Sequence, residues 1–157
     1  RHTVAYATEQ GVAVNVYLED WSNGMKNSPD YVFQLMDGLQ GCGIRRFMLP
    51  DTLGVLNPMQ VQEFMGVMVQ RYPDTHFDFH GHNDYDLAVS NVYAAVLAGA
   101  KGLHTTINGL GERAGNAPLA SVQAILRDHF GAETSINEER GRERLYPGGR
   151  RACRWRQ

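Results

Sequence analysis

The chain has 157 residues and a net charge of −2, with 43% hydrophobic and 20% charged residues, a composition typical of one folded globular domain. No apolar run approaches the roughly 18 residues that a membrane span requires, so we expect no membrane segment. Cys42 and Cys153 lie far apart and form no C-x-x-C pair. This argues against a disulfide scaffold or a zinc finger and favours a reducing, cytoplasmic location.

The charge is distributed unevenly along the chain. Residues 1–139 contain eight Lys and Arg against sixteen Asp and Glu, whereas residues 140–157 contain seven arginines and one glutamate. The acidic body argues against nucleic-acid binding by a basic face. The basic tail could bind nucleic acid or a membrane surface, but its lack of apolar periodicity favours a disordered end or an out-of-frame translation. We predict one domain over 1–139 and a separate tail over 140–157.

Short β-branched or aromatic segments alternate with amphipathic helical segments in this domain. Strands are predicted at four places whose starts are spaced by roughly 30 residues, namely 12–18, 44–49, 75–80 and 101–107. Ser28-Pro29 and Asn57-Pro58 each supply an N-cap followed by proline at the first helical position. The alternation predicts an α/β fold of about four βα units with a parallel sheet.

Such units occur in doubly wound sheets and in (β/α)8 barrels. A complete barrel needs about 250 residues, so this chain would supply about half of one. The segment Gly109-Leu110-Gly111 follows a predicted strand but does not match G-x-G-x-x-G, which argues against a Rossmann dinucleotide site.

Polar residues follow all four predicted strands. They are Glu19 and Asp20, Asp51 and Thr52, residues 80–84, and residues 108–116. In parallel βα folds, ligands bind at the carboxyl ends of the strands. We therefore predict the functional site at this end of the sheet.

His80 and His82 are the sharpest feature of that site. Residues i and i+2 of a strand point to the same side, so the two imidazoles can share one metal ion. Asn116 and a carboxylate from elsewhere are candidate oxygen ligands, and such a mixed set suits Mn, Mg, Zn or Fe(II). The alternative is two half-exposed histidines at a strand end, but the surrounding polar loops favour the metal site.

Residues 108–116 form a Gly-rich loop before a predicted helix. Glycine permits positive φ and a close approach of the backbone to a ligand. Glu112 could act there as a general acid or base, or it could close the loop through a salt bridge with Arg113. The residues alone leave both interpretations open.

Thr52 and Glu19 are candidates for substrate binding. Thr52 offers a hydroxyl and a backbone N–H to a substrate carboxylate, and the alternative is a simple turn residue. Glu19 could hold a substrate, or it could be a solvated or paired surface group.

Other polar residues near the site receive structural interpretations. Asn83 or Asp84 is predicted to be the N-cap of the helix that follows. His76 lies on the side away from the predicted site, and His104 is interpreted as a core histidine. Neither histidine has a partner at a useful sequence spacing.

These motifs together resemble the acyl-CoA-condensing (β/α)8 metalloenzymes, which include the 2-isopropylmalate, homocitrate and citramalate synthases and are related to the 3-hydroxy-3-methylglutaryl-CoA lyases. The matching segments are 18–20, 49–54, 79–84 and 106–116, in family order and at family spacing. Where the lyases carry a cysteine, this loop carries Gly-Glu-Arg-Ala, as in the synthases. The complete loop looks most like that of 2-isopropylmalate synthase.

The resemblance implies a metal centre that uses His80, His82 and nearby Asn116 to bind a divalent cation, Mn, Mg or Zn. This ion would chelate a 2-oxo acid and polarise its keto group. The family's first strand carries an Arg-Asp pair whose Asp completes the metal site, and this sequence contains no such strand.

The resemblance also implies roles in substrate binding and proton transfer. Thr52 would hold the carboxylate of the 2-oxo acid, and Glu19 would line its pocket. Glu112 would sit near the thioester of acetyl-CoA and assist proton transfer. The thioester enolate would attack the keto carbon, and hydrolysis would then release CoA.

We therefore expect residues 1–139 to form strands five to eight of a TIM barrel from a 2-isopropylmalate synthase-like enzyme of leucine biosynthesis. Its substrates would be acetyl-CoA and 3-methyl-2-oxobutanoate, and the complete protein would be a cytoplasmic homodimer. The alternatives are homocitrate synthase with 2-oxoglutarate, citramalate synthase with pyruvate, and a non-catalytic fragment that binds metal or ligand. With two open sheet edges, we expect the isolated chain to self-associate or to be poorly stable.

Overall fold

Four parallel strands form one sheet in the computed structural model, which describes residues 1–136. The strands are hydrogen-bonded to one another in chain order. They are β1 (Val14–Tyr17), β2 (Ile44–Asp51), β3 (Phe77–Gly81) and β4 (Gly102–His104). The predicted α/β fold with a parallel sheet is confirmed, and the predicted basic tail over 140–157 lies outside the described residues.

Helices make the crossover connections that parallel strands require. The helices are α1 (His2–Glu9), α2 (Trp21–Asn27), α3 (Pro29–Leu39), α4 (Pro58–Arg71), α5 (Ala88–Leu97) and α6 (Leu119–Phe130), with a short 3-10 helix at Ile107–Gly109. Within residues 1–136, none of these helices has the length and apolar character that crossing a membrane would need.

The helix starts predicted at Pro29 and Pro58 are both correct, and the start of α4 has a complete side-chain cap. Asn57 accepts a hydrogen bond from the Gln60 amide at 2.9 Å, and the Gln60 side chain accepts one from the Asn57 amide at 3.1 Å. This reciprocal pair is a capping box, which satisfies two amides at the start of α4. Ser28 precedes Pro29 at the start of α3, but its side chain makes no capping hydrogen bond.

The last strand is shorter than its sequence predicts. Residues 101–107 are β-branched and apolar enough for a longer strand, yet β4 ends at His104. The chain then turns into the 3-10 helix, where Asn108 adopts a left-handed φ of 55°. This early turn places the Gly-rich loop beside the carboxyl end of β3.

One face of the sheet packs against the helices and forms the core. Phe77 and Phe79 of β3 are at most 1% exposed, and they share one buried cluster with Val61 and Met65 of α4. Burying a side chain of this size contributes about 1.5–3 kcal/mol. Because side chains alternate along a strand, the intervening residues of β3 belong to the opposite face.

Candidate active site

The two histidines of the H-x-H motif converge at the carboxyl end of β3. The Nε2 atoms of His80 and His82 lie 3.2 Å apart, and the rings meet edge to face with centroids 4.8 Å apart. Metal–nitrogen bonds are about 2.0–2.1 Å long, so both nitrogens can reach one ion placed between them. The predicted convergence of the two imidazoles is present in the structure.

The environment of His80 favours its neutral form. Burial lowers the pKa of His80 to about 4, and the neighbouring His82 and His104 add to this lowering. The charge of Glu19 makes the smallest contribution to the pKa and acts in the opposite direction. A neutral imidazole is the form that binds a metal ion, so His80 is ready to bind one at neutral pH.

Asn116 is paired with His82 and carries an unsatisfied amide oxygen. It forms an antiparallel bridge with His82 and is 8% exposed. Its Nδ2 donates to the Leu110 carbonyl at 3.2 Å, whereas its Oδ1 is buried and has no hydrogen-bond partner among the described residues. A buried amide oxygen without a partner is costly, and a cation would satisfy it.

These three residues fit a divalent cation. Two imidazole nitrogens and one amide oxygen form a mixed donor set of the kind that Mn, Zn or Fe(II) accept. Within residues 1–136, no group of three or more His, Cys, Asp and Glu side chains is arranged to hold a metal. The described chain therefore offers a partial set of ligands, as the resemblance implies.

Thr52 and Glu19 are brought together across β1 and β2. The Thr52 hydroxyl donates to Glu19 Oε1 at 2.9 Å and accepts from the Asp20 amide at 3.0 Å. Asp20 itself has a left-handed φ of 58°. The structure thus joins the two predicted substrate-binding residues in one cluster, and their roles remain predictions.

Asp51, which precedes Thr52, has a structural role. It is fully buried, and its two carboxylate oxygens accept hydrogen bonds from the amides of Val55 and Leu56, each at 3.0 Å. These contacts hold the turn that follows β2. Its backbone carbonyl also accepts from the His82 amide at 3.4 Å.

Glu112 stands apart from this cluster. Its side chain is 82% exposed, and its carboxylate lies 3.7 Å from Arg113 Nη1. The Glu112–Arg113 contact anticipated from the sequence is therefore present, but such an exposed pair contributes little stability. Nothing in this geometry assigns Glu112 to proton transfer, which stays a prediction.

The prediction that Asn83 or Asp84 is the N-cap of α5 is wrong, because Leu87 occupies that position and its side chain makes no capping hydrogen bond. Asn83 lies four residues earlier, and its Oδ1 accepts a hydrogen bond from the amide of Ala88, the first residue of α5, at 3.0 Å. Asp84, the other candidate, instead forms an ion pair with Arg113.

A polar cluster that the sequence interpretation missed lies next to His80. The Tyr17 hydroxyl is 3.0 Å from His104 Nδ1, and His104 Nε2 is 3.3 Å from Asp78 Oδ2. The His104 ring lies 5.6 Å from that of His80, centroid to centroid. His104 therefore has a partner at each ring nitrogen, as expected of a satisfied histidine, but its side chain is 25% exposed and both partners lie on other strands.

The prediction that His76 has no partner also needs correction. Its Nε2 lies 2.9 Å from Asp78 Oδ1, although the pair lacks hydrogen-bond alignment. Arg46 Nη1 also approaches the same carboxylate, at 3.6 Å. Polar residues that alternate with Phe77 and Phe79 along β3 were the available signal, and Arg46 and His104 reach Asp78 from other strands.

The chain belongs to the HMGL-like family, whose family model matches residues 1–143. It is 43% identical over 131 residues to the homocitrate synthase of Sulfolobus acidocaldarius, an alignment that covers 83% of this chain and 27% of that protein. The homocitrate synthase of Sulfurisphaera tokodaii is 40% identical, in an alignment that covers 83% of this chain and 28% of that protein. The chain thus spans just over a quarter of the length of these curated relatives.

Solved structures agree on the fold. The HMG-CoA lyase of Bacillus subtilis superposes with a TM-score of 0.76 at 22% identity, covering 89% of this chain and 51% of that one. The HMG-CoA lyase of Acinetobacter baumannii, solved with coenzyme A and 3-methylmalate, superposes with a TM-score of 0.64 at 27% identity. This superposition covers 73% of this chain and 39% of that one. The predicted partial TIM barrel and the predicted family are both confirmed.

Proposed function

We propose that this HMGL-like chain forms part of the catalytic barrel of a homocitrate synthase-type enzyme, which condenses acetyl-CoA with 2-oxoglutarate. The observation that carries the proposal is the convergence of the His80 and His82 Nε2 atoms, next to Asn116, which is bridged to His82 and whose buried amide oxygen has no partner among the described residues. The names of the curated relatives favour 2-oxoglutarate as the acceptor. This choice replaces the 3-methyl-2-oxobutanoate that the loop sequence alone favours.

His80, His82 and Asn116 would hold a divalent cation. When bound there, such a cation acts as a Lewis acid that polarises the keto group of a 2-oxo acid. The lowered pKa of His80, caused mainly by burial, keeps that ligand neutral.

Thr52 and Glu19 would position the 2-oxo acid. The Thr52 hydroxyl can turn from Glu19 Oε1 toward a substrate carboxylate while the Asp20 amide still donates to its oxygen. A carboxylate that takes this place would lie near Glu19, so we expect Glu19 to line the pocket rather than to contact the substrate carboxylate.

The reaction requires two proton transfers and one hydrolysis. A base removes a proton from the acetyl methyl group, the resulting carbon forms a bond to the keto carbon, and the keto oxygen takes up a proton to become a hydroxyl group. Water then cleaves the thioester, which releases CoA as a free thiol. The exposed carboxylate of Glu112 is our candidate for assisting the proton transfer.

Thiol release from acetyl-CoA tests this function in the complete protein. We expect release that depends on Mn²⁺ and is stimulated more by 2-oxoglutarate than by 3-methyl-2-oxobutanoate or pyruvate. His80→Ala and His82→Ala should abolish it, whereas His129→Ala, at an exposed position of α6, should not. The absence of stimulation by any 2-oxo acid would overturn the proposal, and a preference for another acid would change the acceptor.

A non-catalytic metal-binding protein is the second candidate. It is favoured by the position of Glu112, the candidate for proton transfer, whose side chain is 82% exposed and lies against Arg113. Mn²⁺ binding that requires His80 and His82, without thiol release in the complete protein, would support this candidate.

A further inference from the structure

Arg113 connects three loops at the carboxyl end of the sheet. Its Nε and Nη2 atoms donate to Asp84 Oδ1 and Oδ2, each at 2.7 Å. Its Nη2 also donates to the Thr52 carbonyl at 2.8 Å. Paired bonds of this kind between guanidinium and carboxylate are strong and directional. One side chain therefore joins the segments that follow β2, β3 and β4, and we call this arrangement the Arg113 clamp.

The backbone around the clamp permits this close approach. Arg113 has a φ of 55°, in the left-handed region that non-glycine residues rarely adopt. At Gly54, a Cβ would lie 2.7 Å from Asp84 Oδ2 and 2.9 Å from the Asp84 amide nitrogen. Only glycine therefore lets the loop after β2 approach Asp84 so closely.

The clamp lies between the proposed substrate and metal residues. On one side it holds the carbonyl of Thr52, whose hydroxyl meets Glu19. On the other side it holds the Gly-rich loop that ends in Asn116, and the Asn83 amide adds a hydrogen bond to the Gly115 carbonyl at 2.9 Å.

We propose that Arg113 is a positioning residue, which holds Thr52 and Asn116 in their places beside the histidine pair through its contacts with Asp84 and the Thr52 carbonyl. The inference rests on the proposed function, since it concerns the same metal and substrate site. Arg113 needs no contact with the substrate to act in this way.

The chain contains a matched control on its outer surface. Arg71 Nη2 lies 3.0 Å from Asp37 Oδ2, in a pair whose side chains are about half exposed. It joins α4 to α3 and contacts no residue of the candidate site. Arg71→Ala therefore removes an arginine–aspartate pair without affecting the clamp.

Mn²⁺ titration of the complete protein by isothermal titration calorimetry tests the clamp. Loss of a residue that orients metal ligands lowers metal affinity by about 10–100-fold, and we expect the lower end of that range for Arg113→Ala. Arg113→Lys should restore part of the affinity, because one ammonium group keeps the charge but cannot form the paired contact. Arg71→Ala should bind Mn²⁺ as the wild type does.

Hydrogen exchange on the same variants separates positioning from general stability. Arg113→Ala should speed exchange of the amides in residues 109–116 and leave those of α4 unchanged. In the complete protein, it should raise the KM for the 2-oxo acid more than the KM for acetyl-CoA.

Two other results would distinguish failure of the clamp from failure of the proposed site. Unchanged Mn²⁺ affinity in a folded Arg113→Ala variant, or an equal loss in Arg71→Ala, would overturn the clamp and leave the proposed function standing. A complete wild-type protein that binds no Mn²⁺ would overturn the proposed site and, with it, the role of the clamp.

Discussion

The two faces of the sheet are made by the same strands but differ in chemistry. On β3, Phe79 is fully buried in the core cluster, whereas the adjacent Asp78 and His80 belong to the other face, where Tyr17 and His104 join them. The helix-covered face holds apolar side chains, and the open face holds a chain of hydrogen bonds and ion pairs.

Because of this difference, we expect the covered face to determine the stability of the fold and the open face to determine ligand binding. Burial of apolar surface is the main favourable contribution to folding. Hydrogen bonds and partly exposed ion pairs contribute much less in net terms, because water competes for the same groups. We therefore expect substitutions on the covered face to reduce stability, and substitutions on the open face to affect ligand binding.

Phe79→Ala should give the largest loss of stability. Truncation of a fully buried phenylalanine leaves a cavity, and such changes cost about 3–5 kcal/mol. Denaturant unfolding measures this loss. The neighbouring His80→Ala is the control from the open face, with an expected change within about 1 kcal/mol and a loss of Mn²⁺ binding. Equal losses of stability in both variants would contradict the comparison.

Asp51→Ala should have the next largest effect, because Asp51 is a buried polar group on the covered side. The substitution leaves the Val55 and Leu56 amides without their acceptors, and we expect a loss of about 2–3 kcal/mol. Asp51→Asn keeps one acceptor oxygen and should lose less. Denaturant unfolding compares the two, and an Asn variant as unstable as the Ala variant would contradict this interpretation.

Tyr17→Phe should have the smallest effect, which appears at high pH. Burial, with smaller contributions from the charges of Asp78 and Glu19, raises the pKa of Tyr17 above its usual 10.0. The unfolded chain then loses this proton first, so stability should fall as the pH rises through and above 10.

Unfolding at several pH values from 8 to 11 measures this dependence. Tyr17→Phe should reduce the decline above pH 10, and it should also lose the contact with His104 at all pH values. An identical decline in both proteins would show that Tyr17 does not contribute to it.

Local sequence patterns predicted much of the fold. Apolar periodicity within a strand or helix depends on neighbouring residues, so the four βα units and the start of α4 could be identified without a structure. The polar residues after each strand also indicated the carboxyl end of the sheet as the site. The end of β4 was missed because Asn108 turns the chain against its local strand propensity.

The partners of individual site residues depended on the tertiary structure. The sequence places Glu112 next to Arg113, yet the main partner of Arg113 is Asp84, 29 positions away in the sequence. His104 likewise gains its role from parallel register, which sets it opposite His80.

The sequence by itself determined the family, the alternation of strands and helices and the H-x-H motif, because each depends on residue types at fixed spacing. Only the tertiary structure decided that the two histidine nitrogens lie 3.2 Å apart, that Asn116 is bridged to His82 with a buried amide oxygen, and that Arg113 joins three loops. Those contacts depend on the relative placement of separate strands and their loops, which spacing along one chain segment does not encode.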